Sequence, residues 1–118
     1  MEKQQKSAKE FLLGAFIAAI AIGAVSLYWR TNLFLTAILL VETAAAMYLF
    51  GKKEDVFFFL GGFAGGPIAE IIAVSTGAWK YSNPTFLGIP LWLPFLWGMA
   101  VFLIRRIVLS ILQLVSRL

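Results

Sequence analysis

Four long apolar runs, separated by short polar or turn-forming segments, account for most of the chain. They extend from Phe11 to Tyr28, from Asn32 to Phe50, from Val56 to Trp79 and from Gly88 to Ile104. Each is close to the ~20 residues with which an α-helix crosses a hydrocarbon core. Between them lie Trp29-Arg30-Thr31, Gly51-Lys52-Lys53-Glu54-Asp55 and Lys80-Tyr81-Ser82-Asn83-Pro84-Thr85. The pattern predicts an all-α integral membrane protein, a four-transmembrane-helix bundle that forms a single domain over residues 1–118. The polar leader Met1 to Glu10, with Lys3, Lys6 and Lys9 ahead of an apolar run containing Ala19 to Ala21, imitates a signal peptide, but the run is read as a retained span.

Beyond the fourth run the pattern changes. Arg106, Ser110, Gln113 and Arg117 recur at helical spacing and share one face, while the other face is Ile, Val and Leu. Residues 107–118 are therefore expected to form a C-terminal amphipathic interfacial helix on the cytoplasmic leaflet, its cations near anionic headgroups. Continuation of the fourth helix into water or against a partner is the alternative.

Composition agrees with this organisation: 61% of residues are hydrophobic and 14% charged, far from the balance of a water-soluble domain. Any chemistry must then sit in or at the membrane. Cysteine and histidine are both absent. That removes disulfides, thiol nucleophiles, the usual zinc sites, histidine-ligated haem and every imidazole triad, so no cofactor or metal is expected and carboxylates are the remaining acid or base groups. The sequence pI of 9.7 reflects topology rather than nucleic-acid binding. Of the ten Lys and Arg residues, three precede the first span, two lie in the second loop and three follow the fourth span, against Arg30 and Lys80 on the other side. By the positive-inside rule both termini are cytoplasmic, as in a prokaryotic plasma-membrane protein. Tyr28, Trp29, Trp79, Tyr81 and Trp92 then gather at the outer interface, where amphipathic rings prefer to lie.

Two of the six acidic residues, Glu42 and Glu70, fall inside apolar spans. A charge at the bilayer centre costs ~3 kcal/mol on insertion scales, so such residues face a bundle interior or a wet cavity. Counted from the outer boundaries at Asn32 and Trp79, both come out ~14–15 Å deep, and Trp97 comes out at a similar depth in the fourth span. Helices joined by a five-residue loop are expected to pack side by side, which would let the two carboxyls share one pocket. Two carboxyls in low dielectric cannot both ionise cheaply, so one would hold its proton and serve as a general acid. The bland alternative is interhelical hydrogen bonding by each Glu, worth ~0.6 kcal/mol. The third span also carries Gly61-Gly62 and Gly65-Gly66 followed by Pro67. That spacing allows close approach of another helix, and the proline permits a kink before Glu70.

The most distinctive stretch comprises Pro67-Ile68-Ala69-Glu70, then Gly77-Ala78-Trp79-Lys80-Tyr81-Ser82-Asn83-Pro84, then Gly88-Ile89-Pro90-Leu91-Trp92-Leu93-Pro94-Phe95-Leu96-Trp97-Gly98. Its plain reading is an aromatic belt followed by a proline-started helix. In the order Glu, Gly-x-aromatic-x-Tyr, Gly-x-Pro and Trp, residues 66–98 resemble membrane carotenoid-biosynthesis proteins of the bisanhydrobacterioruberin hydratase type. They are more distantly similar to the small membrane lycopene cyclases. Hydratases of that type are longer, so the resemblance implies a half-size relative or an oligomer. It also implies that Glu70 and the Trp79/Tyr81 segment border an isoprenoid pocket.

The sharpest functional expectation is therefore acid catalysis on an isoprenoid. Glu70 or Glu42 would donate a proton to a carbon–carbon double bond while the other positions water or removes a proton. Trp79, Tyr81 and Trp97 would stabilise the carbocation, and Asn83 and Trp92 would complete the substrate site. A proton-coupled, small multidrug-like transporter acting as a dimer is the second class. A non-catalytic accessory or assembly subunit of a membrane complex is the third, with the glycine-rich helix and basic tail as partner surfaces. The partners expected are a lipid or isoprenoid ligand, the membrane and a homo-oligomer or larger complex.

Overall fold

Each apolar run becomes one helix, but the helix ends differ from those the runs suggest. The computed structural model describes residues 2–116. It contains α1 (Glu2–Tyr28), α2 (Asn32–Phe50), α3 (Lys53–Ser75) and α4 (Leu93–Val115). All four are long and apolar enough to cross a membrane. The polar leader is not a separate segment, because α1 begins at Glu2. The second loop shrinks to Gly51 and Lys52, since Asp55 accepts the Lys52 backbone N–H at 2.7 Å and so caps the first turn of α3. At its other end α3 stops at Ser75 rather than Trp79, ahead of Gly77 at φ +84°. A left-handed glycine at that place is the usual helix terminator.

The fourth helix starts at Leu93, five residues later than Gly88. Phe86 and Ile89 exchange backbone hydrogen bonds of 3.2 and 2.9 Å around Leu87 at φ +47° and Gly88 at φ +83°. Two consecutive positive φ values define a type I′ turn, so residues 85–90 form a tight hairpin instead of a helical turn. Pro94 then occupies the first turn of α4, where a missing N–H costs nothing. From Leu93 that helix continues unbroken to Val115. The expected separate interfacial helix does not form: residues 107–115 are the second half of α4. Arg117, part of the expected polar face, lies outside the described residues.

Packing around α4 organises the bundle. It lies against α3 and α1 extensively and against α2 to a smaller extent, while α2 otherwise packs on α1. The expected side-by-side packing of α2 along α3 does not form, any contact between them being marginal. Complementary surfaces explain the choice. Gly62 and Gly66 of α3 face Trp97 and Val101 of α4, and Gly98 of α4 faces Phe59 of α3, so the two backbones approach with a bulky residue seated over each glycine. Gly14 of α1 similarly accommodates Ile107. Leu35 and Leu39 of α2 with Met99 and Phe102 of α4 are fully enclosed in the resulting core.

The two ends of the bundle are tied differently. At the terminal end Ser7 donates to Gln113 at 2.9 Å, which fixes the leader against the tail. Beside it Asp55, fully buried, receives Arg105 at 2.8 Å and Arg106 at 3.0 Å, and Arg105 also lies 4.4 Å above the Phe58 ring. At the loop end, Trp29-Arg30-Thr31 meets residues 76–92. Between the ends the outer surface is apolar, with Phe16 and Val41 63% and 68% exposed. Such a continuous apolar belt is unfavourable in water.

Candidate functional site

The loop end carries the only buried carboxylate of the described residues that meets another ionisable side chain away from the Asp55 cluster. Glu70, near the end of α3, accepts a hydrogen bond from the Tyr81 hydroxyl at its Oε2 oxygen. Because α3 ends at Ser75, Glu70 lies five residues, or ~7 Å, from its helix end. Glu42 sits ten residues, or ~15 Å, into α2. The expected equal depth rested on a helix running to Trp79 and does not hold.

Tyr81 reaches Glu70 because the loop folds inward, and the loop is held by an amide clasp. Asn83 donates through Nδ2 to the Trp29 carbonyl and, at 2.8 Å, to Oδ1 of Asn32. Asn32 in return donates to Thr85 Oγ1 at 2.9 Å and to the Asn83 carbonyl at 3.3 Å. The Trp92 indole N–H adds a 3.2 Å bond to the same Trp29 carbonyl. Trp92, almost fully buried, stands edge-on to Tyr81 with ring centres 6.4 Å apart. Burial, and after it the hydrogen bond to Glu70, hold the Tyr81 phenol above its ordinary ionisation range.

Glu70 and Tyr81 open onto a cleft of about 440 Å³ that is also lined by Val25 of α1 and by Trp92, Leu96, Trp97 and Ala100. Two further clefts adjoin it. Toward the loops a space of about 390 Å³ shares Val25, Tyr81 and Trp92 and adds Ser26, Trp29, Lys80, Ser82 and Asn83. Toward the bundle's terminal end a space of about 230 Å³ shares Leu96, Ala100 and Ile104 and reaches Ile107. The three follow one another along α1 and α4, neighbours sharing lining residues, and together outline a groove. Its polar groups sit at the loop end, and the remainder is hydrocarbon.

Of the residues singled out from the sequence, Glu70, Tyr81, Trp92 and Trp97 come together on this cleft. Asn83 lines its rim but has its side-chain Nδ2 and its backbone carbonyl engaged in the clasp. Trp79 lies elsewhere, half exposed in a separate depression with Val74, Gly77, Pro84 and Gly88. Glu42 does not line the groove. Its two carboxyl oxygens are buried without a hydrogen-bond partner, so no Glu42–Glu70 pair forms. Three structural residues were missed by sequence reading: Asn32, taken as a mere boundary, Thr85, and Asp55, taken as a solvated loop acid. An asparagine opening an otherwise apolar helix was the available signal for the first.

A scan against protein-family models and searches of curated proteins and of solved structures give no match to this chain. The functional reading therefore rests on the groove.

Proposed function

We propose that this is an integral membrane protein, with both termini on the cytoplasmic side, that binds an elongated isoprenoid in the α1/α4 groove and moves a proton on it. The observation that carries the reading is a single carboxyl, Glu70, oriented by the Tyr81 hydroxyl in the wall of an otherwise hydrocarbon groove. The apolar belt of the bundle supports residence in lipid. With Tyr81 engaged at Oε2, Oε1 is the oxygen that delivers the proton.

One carboxyl limits the chemistry. Glu70 transfers its proton to one carbon of a double bond, the π pair becomes the new C–H bond, and the neighbouring carbon is left cationic. The Trp92 and Trp97 rings lining the cleft stabilise that cation through their π faces. Loss of a proton from an adjacent carbon to the Glu70 carboxylate closes the cycle. Atoms and charge balance without a co-reactant, and the net change is double-bond migration or cyclisation. Hydration, which needs a second group to position water, fits this groove less well because no second carboxyl lines it.

The test is solvent-isotope exchange. Protein in liposomes made from a lipid extract containing isoprenoids is incubated in D2O, and the isoprenoids are examined by mass spectrometry. Deuterium should enter one of them, and Glu70→Gln should slow incorporation ~10²–10⁴-fold, the usual contribution of a positioned acid. Undiminished exchange in E70Q sinks the mechanism.

A proton-coupled transporter acting as a dimer is the second reading, and Glu42 favours it, since an interior carboxyl without a partner is what proton exchange with a cargo requires. Loss of pH-driven flux in proteoliposomes of E42Q, with no isotope exchange in the unaltered protein, would select it.

A further inference from the structure

The groove is not uniform along its length, and the difference between its ends says what kind of molecule it fits. Near the loops its rim carries Lys80, Ser82 and Ser26 beside Trp29. The Arg30 guanidinium lies 4.7 Å above that Trp29 ring. Among the described residues neither Arg30 nor Lys80 has a carboxylate within ion-pairing distance, because the only ion pairs are those of Asp55 at the opposite end. Glu70, the one acid near this end, is engaged by Tyr81 below the rim. The rim is thus a cationic patch that carries the Ser82 hydroxyl and no anion of its own, since the Ser26 hydroxyl donates to the Ile22 carbonyl at 2.8 Å.

From that rim the lining residues extend along α4 from Leu93 to Ile107, 14 residues or ~21 Å of helix. Half the thickness of a bilayer's hydrocarbon core is ~15 Å. Lining of this length passes the midplane, and it is the charge of the rim, not the length, that distinguishes the occupant.

We infer that the occupant is a polyprenyl phosphate, its phosphate held at the Lys80/Arg30 rim and its isoprenoid chain lying along α1 and α4 beyond the bilayer midplane. This rests on the isoprenoid reading above and narrows it from neutral polyenes to an anionic chain. The phosphate supplies the charge that the rim lacks, and charge-assisted hydrogen bonds from Lys80 and Ser82 fix it. At the membrane surface, partly shielded from water by Trp29 and Trp92, that attraction exceeds its bulk-water value. The first isoprene unit then falls beside Tyr81 and Glu70, where the acid acts.

The experiment is a quenching titration of the groove tryptophans in nanodiscs with three probes: undecaprenyl phosphate, undecaprenol and dioleoyl phosphatidic acid. The first should bind about tenfold more tightly than either of the others. Lys80→Gln and Arg30→Gln, both at the exposed rim, should remove that advantage without changing undecaprenol binding or the helical circular dichroism. Equal binding of undecaprenol, equal binding of phosphatidic acid, or indifference to both substitutions overturns the phosphate assignment while leaving an isoprenoid site intact. Binding of neither isoprenoid removes the site altogether, as does a dimer that covers the groove and excludes all three probes.

Discussion

Two adjacent glycines on α3 should respond in opposite ways to the same added methyl group. A Cβ built on Gly66 would overlap ring atoms Cγ and Cδ2 of Trp97 and stand 2.7 Å from Trp97 Cβ. At Gly62 it would stand 2.5 Å from the Trp97 carbonyl oxygen and 2.7 Å from Val101 Cγ2. At Gly61 and Gly65 it would meet nothing within 4 Å. Overpacking of a fitted interface costs about 1–3 kcal/mol, while replacing an exposed helical glycine by alanine gains about 0.5–1 kcal/mol. Gly66→Ala and Gly65→Ala should therefore differ by roughly 1.5–4 kcal/mol although they are neighbours in sequence. Gly62→Ala should be the least tolerant, because a backbone carbonyl cannot rotate away as the Trp97 ring can.

Reversible unfolding in mixed detergent–SDS micelles, followed by circular dichroism, measures these differences directly. Alanine variants at Gly61, Gly62, Gly65 and Gly66 also report on the groove, because the ring displaced in G66A is the one that lines the cleft beside Glu70. G66A should lower ligand affinity as well as stability, whereas G61A and G65A should leave affinity unchanged and raise stability slightly. A loss in G65A as large as that in G66A would refute the assignment of α4 to the Gly62/Gly66 face. A loss that instead grows with dilution would mean that the Gly61/Gly65 face is covered by another chain.

Asp55→Asn should destabilise the bundle by about 3–5 kcal/mol in the same assay, because it leaves Arg105 and the buried Arg106 without their carboxylate; a cost under about 1 kcal/mol would show that the cluster is solvated. Asn32→Ala and Asn83→Ala should be coupled by about 0.5–3 kcal/mol in a double-mutant cycle, and additivity would mean that the clasp does not hold the loop. Since the folded-state pKa of Tyr81 is raised, its proton contributes to stability below about pH 10 and that contribution fades as pH climbs through the raised value. An alkaline titration at the tyrosinate absorption band should show Tyr81→Phe removing the last phenol to ionise; removal of an ordinary one would contradict the Glu70 contact.

The helices were legible because apolar runs of that length have few other fates, but their ends were not. Hydropathy counts Trp79 and Ile89 as comfortably apolar, while the backbone answers to Gly77, Gly88 and Pro94, which set where a ladder can stop and start. Asp55 illustrates a second limit. Next to Lys52, Lys53 and Glu54 it reads as part of a solvated charged loop, and only the fold brings it to Arg105 and Arg106, fifty residues away. Tyr81 and Glu70 were both singled out, yet their contact depends on a loop drawn inward by an asparagine pair whose partners are likewise some fifty residues apart.

The error that mattered most for function was to infer packing from chain order. A short connection between α2 and α3 limits how far apart their joined ends can lie, but it does not decide which faces touch. Close contact goes to the pair with complementary relief, and the three large–small matches between α3 and α4, Val101 over Gly62, Trp97 over Gly66 and Phe59 over Gly98, outweigh sequence proximity. With α4 as the partner of α3, Glu42 stays on α2 at the spacing of Leu35, Leu39, Ala46 and Phe50, without a hydrogen bond, and Glu70 is left with a phenol instead of a carboxyl. That replacement changes the chemistry open to the groove. A carboxyl pair can divide the roles of acid and base, whereas a lone carboxyl held by a tyrosine must take back the proton it gives, which is why the proposed reaction is a rearrangement.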